Sequence, residues 1–161
     1  MAAWQFQIRL ISRKNAEAHS LYPGAEVPEE QLEEVLSWDG SPINKEALSA
    51  LATILPPGKT WSSELDVFGD LETTCVTIFR DHGQPVEVSI RLDLRTLTRE
   101  TMLSVLTFVE TLQCLLLTED NFVLNPTAIE LATAIEVSPA YQFVNDPHGF
   151  LARLASGQQF E

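Results

Sequence analysis

The side chains in this chain that could do chemistry are three histidines, two cysteines and a large number of carboxylates. His19, His82 and His148 lie far apart in predicted turns, where imidazole groups are usually solvated. Cys75 and Cys114 form no CxxC pair, so zinc binding and thioredoxin-type redox chemistry have no support. We predict two buried thiols that pack as small hydrophobic groups, with a disulfide as the alternative.

No motif of a known active site occurs in the sequence. GxGxxG, GxxxxGK[ST], HExxH and GxSxG are all missing. We therefore predict no catalytic residue and no cofactor. A small enzyme whose active site is assembled only by folding remains the alternative. The candidates for such a site are His148, Asp146, Cys114 and the acids Glu64, Asp66 and Asp70.

Aromatic residues and carboxylates alternate in the segment 61–70, WSSELDVFGD. Such a mixture suits an interface with a basic protein, because aromatic anchors supply contact area and acids supply attraction. The residues predicted to bind a partner are Trp61, Glu64, Asp66, Phe68 and Asp70. A metal site at the three acids is not predicted, because their spacing lacks the glycine-bearing loop of a calcium site. The alternative is that the aromatic residues belong to the core and the acids are merely solvated.

Charged residues also alternate at the end of a predicted strand, at Arg91, Asp93 and Arg95. We predict a cross-strand charge ladder with acids on a neighbouring strand, where each pair contributes a few tenths of a kcal/mol, about 0.3. An anion-binding site is the alternative, and the acidity of the whole chain disfavours it.

Acidity is the strongest global signal, since 23 acids against 10 bases give a net charge of −13 over 161 residues. A field of this sign repels nucleic acids and anionic membranes, so neither is predicted as a partner. It favours a basic partner protein, or it serves only solubility. The sequence shows no apolar run of membrane-spanning length and no secretory signal pattern at its start, which favours the cytoplasm.

Two predicted strands joined by a tight turn organise the chain between Leu71 and Arg95. In the second strand apolar and polar residues alternate, which is the period of a half-buried antiparallel strand. The turn is predicted at 81–84, Asp-His-Gly-Gln. The apolar set is Val86, Val88, Ile90, Leu92 and Leu94.

Further elements follow from periodicity and from Pro, Gly and Asn signals. Strands are predicted at 2–12, 114–118 and 122–124, with a loop or edge strand at 61–70. Helices are predicted at 28–38, 41–55, 98–113, 125–137 and from 146 onward, with an end of the first at 38–40 and a frayed tail after 156. Residues 140–144 fit either a strand or a helix. In the helix at 125–137 we expect Ile129, Ala132 and Ile135 to be buried.

This order of elements indicates an α+β fold. We expect a mostly antiparallel sheet built on a central hairpin and covered by about five helices, in one compact domain over residues 1–161.

Three stretches of the chain together resemble a group of small uncharacterised bacterial proteins, some of which look like immunity proteins of toxin–immunity systems. They are VSIRLDLR, LLLTEDNFVLNPT and SPAYQFVNDPHGFL, and the similarity covers roughly residues 61–154. The resemblance implies a cytoplasmic protein that binds and blocks a toxin, and it carries over no binding residue.

Two main hypotheses result: a non-enzymatic acidic binding protein of immunity type, which neutralises a bacterial toxin by occlusion, and a small enzyme of unknown class. A structural subunit of a larger assembly is a third. A deep pocket that holds two or more of the dispersed candidate residues would favour the enzyme. A broad exposed apolar patch would favour the subunit.

Overall fold

The computed structural model describes residues 1–38 and 42–156. In these ranges six strands form one antiparallel sheet in the order β2-β3-β4-β1-β5-β6, with seven α-helices, so the predicted α+β fold is confirmed. The strands are β1 (Gln5–Ser12), β2 (Leu65–Gly69), β3 (Cys75–Asp81), β4 (Gln84–Asp93), β5 (Cys114–Thr118) and β6 (Val123–Leu124). The helices are α1 (Arg13–Ala18), α2 (Leu32–Leu36), α3 (Lys45–Ala52), α4 (Arg99–Thr111), α5 (Ala128–Glu136), α6 (Pro139–Asn145) and α7 (Pro147–Ala155).

The predicted hairpin is β3–β4, closed by a two-residue turn at His82 and Gly83. Both residues have positive φ, 51° and 79°, as a type I′ turn requires. The register shifts between Phe79 and Arg80, so that one residue of β4, Val86, has no partner on β3. This bulge corrects the predicted apolar face: Val86 is 41% exposed, whereas Val88, Ile90 and Leu92 are fully buried.

The two faces of the sheet are covered differently. On one face, apolar residues of β1, β3, β4 and β5 form the main core with α3, α4 and α5. On the other face, Ile11, Leu115, Leu117 and Val123 pack with Val35 and other residues of the α1–α2 region, so this layer covers only the β1, β5 and β6 side. The main core therefore lies between the sheet and the layer of α3, α4 and α5.

Both edges of the sheet carry additional backbone pairing. The amide of Gly58 donates to the carbonyl of Val67, and the amide of Gly69 donates to that of Pro56, along β2. At the other edge, the amide of Val123 donates to Ala25 and the carbonyl of Val123 accepts from Gly24. These irregular segments occupy donors and acceptors that a foreign strand would otherwise use.

Several predicted elements need correction. Helix α1 was not predicted; its cap is the hydroxyl of Ser12, which accepts from the amide of Asn15 at 3.0 Å. Residues 140–144 belong to a helix, α6, which begins at Pro139 after the capping Ser138. The predicted helix end at 38–40 falls partly, and the predicted frayed tail after 156 falls wholly, outside the described residues.

Candidate functional site

The segment predicted to bind a partner, residues 61–70, lies at one edge of the sheet and is called the edge segment below. Trp61 is 78% exposed, and Glu64 is exposed beside it. Phe68 is only 9% exposed and belongs to the main core, so its ring is not available to a partner. The structure thus divides these residues: Phe68 is buried, Asp66 is partly exposed, and Trp61, Glu64 and Asp70 are exposed.

Two acids of the edge segment have structural partners. Asp66 accepts from Nε of Arg80 at 2.8 Å in a partly exposed ion pair. Asp70 accepts from the amide of Glu72 at 2.8 Å, which stabilises the turn between β2 and β3. Neither Asp66 nor Asp70 stands in a cluster: among the described residues no three His, Cys, Asp or Glu side chains could hold a metal ion together.

The dispersed catalytic candidates are not brought together in the described part of the chain. Both cysteines are buried thiols, as predicted, and burial raises the pKa of the Cys75 thiol. Asp146 accepts from the amide of Gly149 at 3.0 Å, as a local helix-start contact. Three cavities lie at the β2–β3 turn, beside β6 and α5, and between α3 and α4, and none of them is lined by two of the candidate residues.

The charged cluster at the end of β4 is a local ion pair rather than a cross-strand ladder. Both carboxylate oxygens of the fully buried Asp93 accept from Arg95, at 3.0 and 2.7 Å. These bonds lower the pKa of Asp93, and the guanidinium of Arg95 lies 3.9 Å from the ring centroid of Trp4. The ladder prediction was wrong because Asp93 faces Gln5, and Arg91 faces Gln7 and Cys75, in the neighbouring strands.

A groove beside β6, on the opposite side of the sheet order from β2, is the largest of three concave surfaces formed by the described residues. Its volume is about 680 Å³, compared with about 450 and 350 Å³ for the two other cavities, at the β2–β3 turn and between α3 and α4. Its wall is built from residues 1–3, the β5–β6 turn, helix α5 and the start of α6, with Phe150 of α7. We call it the acidic groove. Its size is in the usual range of ligand sites, about 300–1,000 Å³.

The apolar wall of the acidic groove contains side chains that the core does not use. Phe122 is 42% exposed, Val137 58% and Ile129 81%. The exposure of Ile129 corrects the prediction that it is buried. Helix α5 instead turns Leu131 and Ile135 into the core.

Helix α5 therefore has a second side that faces away from the core. Ile129, the polar Thr133 and Val137, the residue after the helix, recur at intervals of four, and all three line the groove. The start of the helix is fixed by Thr127, whose hydroxyl accepts from the amide of Glu130 at 3.3 Å. The carboxylate of Glu130 in turn accepts from the amide of Asn125 at 3.2 Å, which resembles a capping box and holds this acid at the groove wall.

Two further acids lie in the turn between β5 and β6. The turn is closed by the amide of Asn121, which donates to the carbonyl of Thr118, and Asn121 itself has a φ of 66°. This geometry places Glu119 and Asp120 on the lip of the groove. No Lys, Arg or His lines the groove among the described residues, and no ion pair within 4.0 Å forms at Glu119, Asp120 or Glu130 in that part of the chain.

The pKa of Glu119 is raised above its ordinary value. The main cause is partial loss of hydration at this position, followed by repulsion from Asp120, while Arg9 and the N-terminal ammonium group act in the opposite direction. The nearby positive charges therefore do not offset the loss of hydration and the repulsion from Asp120. A cation bound in the groove would stabilise the ionised form of Glu119.

Comparison of the chain with protein-family models, with curated proteins and with solved structures found no match. The resemblance to immunity proteins therefore remains a prediction from the sequence. No helix among the described residues is both long and apolar enough to cross a membrane.

Proposed function

We propose that this protein is a non-enzymatic binding protein for a basic partner protein, of the kind represented by immunity proteins that occlude a toxin. The observation that carries this proposal is the acidic groove, where exposed apolar side chains stand beside three carboxylates that form no ion pair within 4.0 Å among the described residues. Apolar contact area and unpaired charge are the two components of a protein interface. The proposal places its action in the bacterial cytoplasm.

The balance of charge in the rest of the molecule supports the same proposal. In the described residues, ion pairs join arginines to Glu110, Asp66, Asp93 and Asp146. The net charge of −13 persists however the bases are paired, because 23 acids outnumber 10 bases by 13. Such a field accelerates encounter with a basic protein, and it would compete with nucleic acid for the active site of a nuclease toxin.

The test is capture of partners from the source cell at two salt concentrations. The immobilised protein should retain one or a few basic proteins at about 50 mM salt and much less of them at about 300 mM, because the screening length shortens from roughly 14 to 6 Å. A captured protein is then purified, and its association rate is measured by surface plasmon resonance. Retention of only acidic or neutral proteins, or a rate that is independent of salt, would reject the proposal.

A structural subunit of an assembly is the second candidate, because Phe122, Ile129 and Val137 also form an exposed apolar surface. Light scattering across a wide concentration range separates the two. A monomer at all concentrations favours the binding protein, and a stable homo-oligomer favours the subunit.

A further inference from the structure

The acidic groove restricts the shape of what can bind in it. Strand addition beside β6 is blocked, because the outer edge of Val123 already pairs with Gly24 and Ala25, and Val27 donates to the carbonyl of Asn121. A peptide in extended form would have to displace this segment before it could pair. A helix needs no backbone partner and can lay one apolar face into a groove.

The wall of the groove offers side chains at helical spacing. Ile129 and Thr133 of α5 and Val137, the residue after it, follow at intervals of four, and Phe122 of the β5–β6 turn also lines the groove. Two helices pack when the side chains of one enter the spaces between such rows on the other. An incoming helix with apolar residues at intervals of three and four would match this row.

The lip of the groove restricts the charge of the occupant. Glu119, Asp120 and Glu130 favour lysine or arginine and oppose an anionic lipid. A second copy of the chain also has a net charge of −13, so electrostatic repulsion disfavours self-association through this surface. The occupant with complementary charge is a basic segment of another protein.

We infer that the acidic groove binds an amphipathic basic helix of the partner protein, with its apolar side chains in the groove and its lysine or arginine side chains at Glu119, Asp120 and Glu130. This inference rests on the proposed function, for which it names the docking surface and the form of the bound segment. Binding of a cation also stabilises the ionised form of Glu119, whose pKa is raised in the free protein. Binding therefore releases protons, and affinity increases as the pH rises through the pKa of Glu119.

The charged groups facing Glu119 all bear on this pH dependence. They are Asp120 on the same turn, Arg9 on β1, the N-terminal ammonium group, and Glu130 across the groove. Asp120→Asn should weaken the pH dependence because it removes the neighbouring carboxylate that raises the pKa of Glu119.

The probe is a synthetic peptide of leucine and lysine, about 15 residues long, with the leucines at helical spacing. The control peptide has the same composition in an order that spreads the leucines around the helix. Titration calorimetry measures affinity, and circular dichroism measures helix formation on binding. We expect tight binding of the first peptide with a gain of helix, and at least tenfold weaker binding of the control.

Two matched double variants test whether the peptide binds in the acidic groove. Ile129→Ser with Val137→Ser removes two exposed apolar residues of the groove. Val86→Ser with Leu103→Ser removes two exposed apolar residues elsewhere, at 41% and 40% exposure. The groove variant should lose affinity about tenfold or more, as loss of a central apolar contact does. The control variant should bind like the parent. Equal losses in both variants, or equal binding of both peptides, would overturn the inference.

The other occupants correspond to other results. A monomer–dimer equilibrium that Ile129→Ser with Val137→Ser abolishes would assign the groove to a second copy. If the groove variants retain a salt-sensitive basic partner at full affinity, the inference fails while the proposed function stands. If the peptide occupies the groove but no basic partner exists, the proposed function fails instead.

Discussion

The edge segment and the acidic groove both combine apolar side chains with carboxylates, and they lie at opposite edges of the sheet. The edge segment contains β2, at one end of the strand order, whereas the groove is lined by β6 at the other end and by the start of β1. In the edge segment Phe68 is in the core and Asp66 is paired with Arg80. In the groove, Phe122 and Ile129 are exposed and the acids lack an ion-pair partner among the described residues.

The difference shows that a mixture of aromatic and acidic residues does not by itself mark an interface. Phe68 and Asp66 of the edge segment make contacts within the fold, whereas the apolar side chains of the groove remain exposed after the core is complete. Four sets of variants test this distinction, from the largest expected effect to the smallest.

The largest difference is expected between two phenylalanines. Phe68→Ala should lower the free energy of unfolding by about 3–5 kcal/mol, because it opens a cavity in the core. Phe122→Ala should cost about 1 kcal/mol or less, because its ring is partly in solvent. Urea denaturation measures both. Similar losses for the two variants would mean that the groove is as structural as the edge segment.

Asp66→Asn should cost about 0.5 kcal/mol, since it breaks a partly exposed ion pair with Arg80. Arg80→Gln is the matched change on the other partner, and the double variant should lose little more than either single one. Fully additive losses would show that the two side chains are not coupled.

Glu119→Gln should act in the opposite direction and slightly stabilise the protein at neutral pH. The raised pKa means that ionisation of Glu119 is less favourable in the folded state than in the unfolded chain. The stability difference between variant and parent should be small in acid, where the carboxyl is protonated in both states. It should grow as the pH rises through the raised pKa. Thermal unfolding across this range would contradict the assignment if the variant were less stable at neutral pH.

Trp61→Ala should have the smallest effect, within about 0.5 kcal/mol, because the side chain is 78% exposed. It should also leave affinity for the basic peptide unchanged. A loss of partner binding in this variant would show that the partner binds at the edge segment.

The hairpin, the short β5–β6 pair and helix α4 could be predicted because their signals are local. His82 and Gly83 form the turn that their residue types favour, and Thr98 caps α4 as expected. The bulge at Val86 was missed because alternation continues through the sequence while the pairing with β3 shifts by one residue.

The groove could not be predicted in the same way, because its walls come from four distant parts of the chain. One local signal was present. Helix α5 is apolar on more than one side, so Leu131 and Ile135 can satisfy the core while Ile129 and Val137 remain outside. The prediction that Ile129 is buried grouped it with Ile135, although Ile129 lines the groove and Ile135 packs in the core.

The most direct measurement is the map of amide chemical-shift changes when the basic amphipathic peptide is added to the labelled protein. If the peptide binds in the acidic groove, we expect the amide chemical-shift changes to be concentrated at 118–124 and 129–140, with none at 61–70. Changes concentrated at 61–70 with the groove unaffected would contradict it.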